Sequence, residues 1–221
     1  SGNAGGFPLH TKTVVTAGDT VFTWFKNAGA VSYCEFWGDT AAMSNLQFTI
    51  GADQTTPNYA FRGSLPYTTI QQQLGVLHTD TLFSTDSNRI AIVMSYGDLI
   101  GGQYGMFYQI TADSAYNWRI QTTGTGSWDG YTFDWIHSSL IPSAASYPPV
   151  TDYRSPDLNQ NMCSGFQCSD KTITVAQYTN MNSYTDYTNT VQTFTTVTGQ
   201  LHPTSSWGPT RDGRQKPDVA A

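Results

Sequence analysis

Four histidines, three cysteines and a scatter of serines and carboxylates are the side chains here that could carry chemistry. A serine nucleophile needs a base within hydrogen-bond reach and a carboxylate to orient that base. Asp134, His137 and Ser138-Ser139 lie close enough in sequence to suggest such a group. In a chain this rich in Ser and Thr, short polar residues adjoin a histidine by chance. His10, His78, His137 and His202 share no common context and read as surface or hydrogen-bonded histidines. Cys163 and Cys168 flank Ser-Gly-Phe-Gln, a loop that a disulfide could close and that two free thiols would fit equally well. No second Cys or His pair follows at zinc-ligand spacing, and no carboxylate cluster has the spacing of a calcium loop. Ser1-Gly2-Asn3-Ala4-Gly5, taken alone, is a turn. Asp212-Gly213-Arg214 reads as another, with glycine supplying a positive φ.

The chain that must position these groups has 221 residues, enough for one large domain or two modest ones. Its net charge of -6 argues against a nucleic-acid partner, which would require clustered Lys and Arg. Only 12% of residues are charged, about half the usual share. Thr, Ser, Gly, Tyr and Asn take their place, a composition common in secreted β proteins. No apolar run approaches the roughly 18 residues that a membrane span needs. The expected location is extracellular, secreted or on the cell surface.

Residues 10–140 read as β structure. Val21–Phe25, Val31–Trp37, Leu46–Ile50, Arg89–Tyr96, Met106–Ile110, Asn117–Gln121 and Tyr131–Trp135 alternate apolar and polar side chains, which buries one strand face and wets the other. Gly, Asn, Asp and Ser clusters separate the runs. The pattern predicts a sandwich or jelly roll. Tyr67–Leu74 is the best helical stretch of this region. Trp24, Trp37, Trp118 and Trp135 are expected in the core. Trp128 lies in a Gly-rich segment that reads as a turn, so it is expected to be accessible for stacking on a sugar or a protein surface. From Ile141, four prolines punctuate a stretch without periodicity, read as a linker over 141–169. Lys171–Ala176 predicts a short buried strand, and Tyr178–Thr190 a loop.

The stretch Thr204 to Ala221, with Ser205-Ser206-Trp207-Gly208-Pro209-Thr210-Arg211-Asp212-Gly213-Arg214-Gln215-Lys216-Pro217-Asp218-Val219-Ala220, resembles the segment of subtilisin-like serine proteases that leads to the nucleophilic serine. In that family a Gly-Asn-Xaa-Gly turn, a strand of the form ITVGA and then SSxGP follow in order. Here Gly2-Asn3-Ala4-Gly5, Ile173-Thr174-Val175-Ala176 and Ser205-Ser206-Trp207-Gly208-Pro209 stand in the same order. Trp207 departs from the small or basic residue usual at its place.

The resemblance implies a division into four parts. Residues 1–9 and 170–221 would be pieces of an α/β catalytic domain, 10–140 an inserted β-sandwich of jelly-roll type, and 141–169 a linker and possible wall of the substrate cleft. It assigns Asn3 to the oxyanion hole and makes Tyr153, Arg154 and Pro156 candidate cleft residues. The triad itself would lie outside residues 1–221, so the chain reads as a fragment that hydrolyses nothing alone. The implied partner is a protein or peptide substrate, with no nucleic acid or membrane. No cofactor is implied, and calcium, bound by many relatives, is not readable here. A second reading is a carbohydrate- or protein-binding sandwich without a catalytic role.

Overall fold

A computed structural model describes residues 8–26, 29–54, 58–112, 116–132, 135–136, 141–157, 162–163 and 165–221, the side chain of residue 166 excepted. The chain divides into two units, Pro8–Asp157 and a second made of Ser1–Phe7 with Leu158–Ala221.

Among the described residues eleven strands build the first unit: β1 His10–Val15, β2 Thr20–Lys26, β3 Val31–Asp39, β4 Leu46–Gln54, β5 Ala60–Ser64, β6 Thr68–Thr69, β7 His78–Phe83, β8 Arg89–Ile100, β9 Gln103–Ala112, β10 Asn117–Gly124 and β11 Gly126–Tyr131. They form two antiparallel sheets, one ordered β1-β11-β3-β9-β8-β7 and the other β2-β10-β4-β5, with β6 beside β4. The chain passes back and forth between the sheets, so β1 pairs with β11 and β2 with β10. This is the winding of a jelly roll. The fold is mainly β, as the alternation predicted. Among the described residues its two α-helices, α1 Thr40–Met43 and α2 Ile70–Gln73, are single turns.

Side-chain alternation decides what each sheet buries. Val21, Phe25, Phe48, Ile50, Trp118 and Ile120 from one sheet meet Phe36, Val93, Met106, Ile110 and Trp128 from the other in a continuous core. Trp128 corrects the sequence reading. Its Gly-rich neighbourhood is strand β11, not a turn, and the indole is 1% exposed with Nε1 donating to Thr122 Oγ1 at 3.1 Å. The glycines serve close approach: a Cβ on Gly126 would fall 1.8 Å from the Ala42 carbonyl oxygen. The Tyr67–Leu74 stretch is helical only over α2, because β6 claims Thr68 and Thr69 for the sheet. Of the Tyr131–Trp135 run, residues 133–134 lie outside the described residues; β11 ends at Tyr131, and Trp135 makes an isolated bridge to Phe25.

The outer face of the β2-β10-β4 sheet is buried as well. Phe22 and Trp24 pack there with Ile136, Tyr147, Val150 and Tyr153. The proline-punctuated stretch from Ile141 to Asp157 thus lies on the sandwich as a strap, in place of the expected linker. Arg154 N–H donates to the Phe22 carbonyl at 2.8 Å, Ile136 N–H to Trp24 at 2.9 Å, and Asp157 N–H to His10 at 2.7 Å. Prolines suit a strap because it needs few ladder donors.

Beneath it sits the sheet's one buried ion pair among the described residues. Asp53 accepts from Arg119 Nε and Nη2 at 2.9 Å each, from Trp24 Nε1 at 2.6 Å and from Tyr147 Oη at 3.3 Å. The Arg119 guanidinium lies 4.5 Å from the Phe22 ring centre. Burial pushes the Asp53 carboxyl up, and the Arg119 charge with the Arg119 and Trp24 donors pulls it back. Removing one partner of such a pair strands the other. Asp53→Ala is expected to cost about 3–5 kcal/mol in urea unfolding followed by tryptophan fluorescence. The paired replacement Asp53→Leu with Arg119→Met should regain most of that loss; a double variant as unstable as the single one would refute the account.

Candidate functional site

The second unit carries the motif residues. Two short strands, β12 Val175–Ala176 and β15 Val219–Ala220, pair in parallel with Val175 opposite Val219. Parallel neighbours must be held in register by something other than a hairpin, and here Lys216-Pro217-Asp218 does it. Asp218 Oδ2 accepts the Thr174 N–H at 2.6 Å and the Lys216 ammonium at 2.7 Å. The ammonium also donates to the Thr172 carbonyl at 2.7 Å. The Lys216 hydrogen bond and the Thr174 amide hold the Asp218 carboxyl below its ordinary range. The predicted strand over Lys171–Ala176 is shorter than expected, and Ile173 is exposed, because β15 alone pairs with it among the described residues.

Ser205 and Ser206 are buried, and Ser205 Oγ accepts the Gln177 N–H at 2.9 Å, fastening the SSxGP segment to the end of β12. Gly208 runs against the Lys216 backbone; a Cβ there would stand 1.9 Å from the Lys216 carbonyl oxygen. Thr210 and Arg214 close the Asp212-Gly213 turn through Thr210 N–H to the Arg214 carbonyl at 2.8 Å. Gly213 has φ +85°. Arg214 Nε pairs with Asp212 at 2.9 Å, and Thr210 Oγ1 donates to the same carboxylate group. Trp207 is partly exposed, and its carbonyl accepts the Met162 N–H at 2.9 Å.

Tyr178–Thr190 contains a hairpin strand where a loop was expected. β13 Ser183–Thr185 pairs antiparallel with β14 Val191–Thr193. Asp186 organises the turn between them, accepting from the Thr188 and Thr190 amides at 2.9 and 3.0 Å and from Gln192 Nε2 at 2.9 Å. An Asp turn replaces the glycine that a hairpin usually signals, which hid it in the sequence. Beside the hairpin is an open cleft of about 570 Å³ lined by Tyr178, Met181, Phe194, Thr196 and His202 among others.

Of the expected site residues, Asn3 lies outside the described residues, as does His137. Tyr153, Arg154 and Pro156 belong to the strap of the first unit. Tyr153 Oη donates to the Ile136 carbonyl, its ring packs 5.3 Å from Trp24, and burial raises its phenol well above the ordinary range. Arg154 Nη1 donates to the Tyr153 carbonyl at 3.3 Å, and Pro156 is buried. Their polar atoms serve the packing of the strap. Cys163 and Cys168 are free thiols; Cys168 Sγ donates to the Cys163 carbonyl at 3.6 Å. Burial raises both. His10 Nε2 bonds Asp129 at 2.9 Å, His78 the Gln72 carbonyl at 3.1 Å, and His202 Nδ1 the Thr204 hydroxyl at 2.8 Å. None of these three joins a serine hydroxyl to a carboxylate. Among the described residues no group of three or more His, Cys, Asp or Glu could hold a metal, and no helix is long and apolar enough to cross a membrane.

One concavity was not anticipated. On the outer face of the six-stranded sheet, Tyr33, Glu35, Phe107 and Tyr131 line an open groove of about 410 Å³ together with Leu9 and Thr132. The signal was present in β3, where Tyr33, Glu35 and Trp37 alternate with buried Cys34 and Phe36.

Among solved structures the chain is similar to the CspB protease of Clostridium perfringens, with a TM-score of 0.58 and 13% identity. The match covers 100% of this chain and 39% of that one. No family model and no curated protein sequence matches the chain. The fold is therefore one that also occurs in a protease. The chain spans well under half of that relative.

Two outcomes test this geometry. Gly208→Ala should loosen the Lys216 contact and weaken the β12–β15 ladder by about 1–3 kcal/mol, seen as faster amide exchange at Thr174 and Ala221 with Ile120 unaffected. The exposed turn carboxylate of Asp186 is held down to about 2 by Thr188 and Gln192. A folded pKa below the unfolded one stabilises above the unfolded value and fades as pH falls through the folded one. The hairpin should fray between about pH 4 and pH 2, with the Thr188 and Thr190 amide shifts following that titration. Asp186→Asn should abolish the pH dependence.

Proposed function

We propose that this chain is the part of a secreted subtilisin-like serine endopeptidase that runs from the oxyanion-hole asparagine to the approach of the nucleophilic serine. The jelly roll is its insertion. One observation carries the reading. The sequence motifs that suggested the family are also the residues that build a parallel strand pair, through the Lys216–Asp218 clamp, the Ser205 contact and the Gly208 close approach. Parallel sheets occur with both faces covered, yet Val175 is 44% and Val219 52% exposed. A two-stranded parallel ladder with open apolar faces fits a piece of a larger α/β sheet. The structural likeness to a protease supports the same class.

On this reading Asn3 donates its side-chain amide to the oxyanion, and Ser205 to Asp218 position the serine without reacting. The substrate is a peptide or protein. The insertion modulates access to the cleft or stiffens the catalytic domain. The carbohydrate- or protein-binding reading applies to the sandwich alone and finds support in the Tyr33–Tyr131 groove.

Residues 1–221 by themselves should hydrolyse no peptide. In the longer protein, Asn3→Ala should lower kcat by about 10²–10³ with little change in KM, the signature of a lost oxyanion donor. An unchanged kcat would remove Asn3 from the mechanism. Hydrolysis by the purified 221-residue chain that survives Asn3→Ala would overturn the assignment of the triad elsewhere.

A further inference from the structure

Glu35 stands at the centre of a row of cross-strand neighbours on the open face of the six-stranded sheet. Tyr131 is opposite it on β11 and Phe107 opposite it on β9. Tyr33 and Trp37 are two residues away on the same face of β3, and the Trp37 ring meets Phe107 edge to face at 5.4 Å. The Glu35 side chain is half-buried among these rings. Its carboxylate receives the Trp37 side-chain donor, and burial nonetheless pushes its pKa up. A carboxylate has two oxygens and about four acceptor sites, so the indole leaves acceptor positions that face the open groove.

Among the described residues no cation compensates Glu35. The basic residues of β1 on this face are His10, whose Nε2 bonds Asp129, and the exposed Lys12, which lies opposite Asp129 on the register. Arg119, Arg62 and Arg214 are each paired with another carboxylate. The groove therefore combines one desolvated anion with ring faces that carry negative potential, and both attract a cation. Tyr33 is 63% exposed and offers a free platform at the rim.

We propose that this groove is a binding site for the guanidinium of an arginine side chain presented by a peptide or protein. A guanidinium is planar, weakly hydrated and able to stack on a tyrosine while its N–H fork meets a carboxylate. A compact, strongly hydrated ammonium gains less from the same rings. A neutral sugar could stack on Tyr33 but would leave the Glu35 charge unbalanced. The inference rests on the groove alone and does not depend on the proteolytic reading.

The test is a ¹⁵N NMR titration of the 221-residue chain with three probes: acetyl-Gly-Arg-Gly-amide, its citrulline analogue and maltohexaose. The arginine peptide should shift the amides of Tyr33, Glu35, Phe107 and Tyr131 with a Kd in the ~0.1–10 mM range. Citrulline, equal in shape but uncharged, should bind at least ~tenfold more weakly. The near-isosteric Glu35→Gln should lose a similar factor for arginine. Should that variant fail to fold, Tyr33→Ala at the exposed rim decides the matter through a severalfold loss. Absence of arginine-peptide binding, equal binding of citrulline, indifference to both substitutions, or saturation of these same amides by maltohexaose alone would each overturn the proposal.

Discussion

Asp53 carries a full negative charge into the interior face of a packed layer, and a carboxylate taken out of water costs several kcal/mol unless every lone pair is met. Arg119, Trp24 and Tyr147 meet it, and they come from three different places: β10, β2 and the strap. That requirement fixes more than the pair. It sets β10 between β2 and β4 in register, since Arg119 pairs with Trp24 on one side and Gly51 on the other. It also draws the strap down over the sheet through Tyr147. Once the strap is down, Phe22, Trp24 and Tyr153 become core residues, and the sheet is buried on both faces. Among the described residues the opposite sheet has no such cover over its outer face near Glu35, and there its alternation sets rings and a carboxylate along an open groove.

The second unit depends on a smaller device of the same kind. Lys216 is buried, and its ammonium finds two acceptors, one on each side of a parallel ladder. Charge and hydrogen bonding therefore hold strands that no short turn could join. Several residues of the motif have mechanical parts here: Lys216 and Asp218 form a clamp, the Ser205 hydroxyl fastens, and Gly208 lets two backbones touch.

The alternation of apolar residues over 10–140 was enough to read a β-sandwich, since a period of two can bury only one face per strand. The order of the motifs in the second unit was equally legible, but which cation meets which carboxylate there was not. Trp128 was misread because glycines that signal a turn locally serve close packing against Ala42 and Asn45 in the fold. The hairpin around Asp186 was missed because a carboxylate takes the place of the usual turn glycine. Residues 141–157 read as a linker because proline and lack of period describe the backbone of a strap as well as that of a tether.

What the sequence determined by itself is therefore local and periodic: strand positions, the face each side chain takes, and the resemblance carried by Thr204 to Ala221. What only the tertiary structure decided is which faces are covered and which charges meet. Tyr153, Arg154 and Pro156 are strap residues, Asp53 is matched by an arginine sixty-six positions away, and Glu35 has no arginine partner among the described residues. Burial and pairing depend on long-range neighbours, and no local pattern encodes which neighbour arrives.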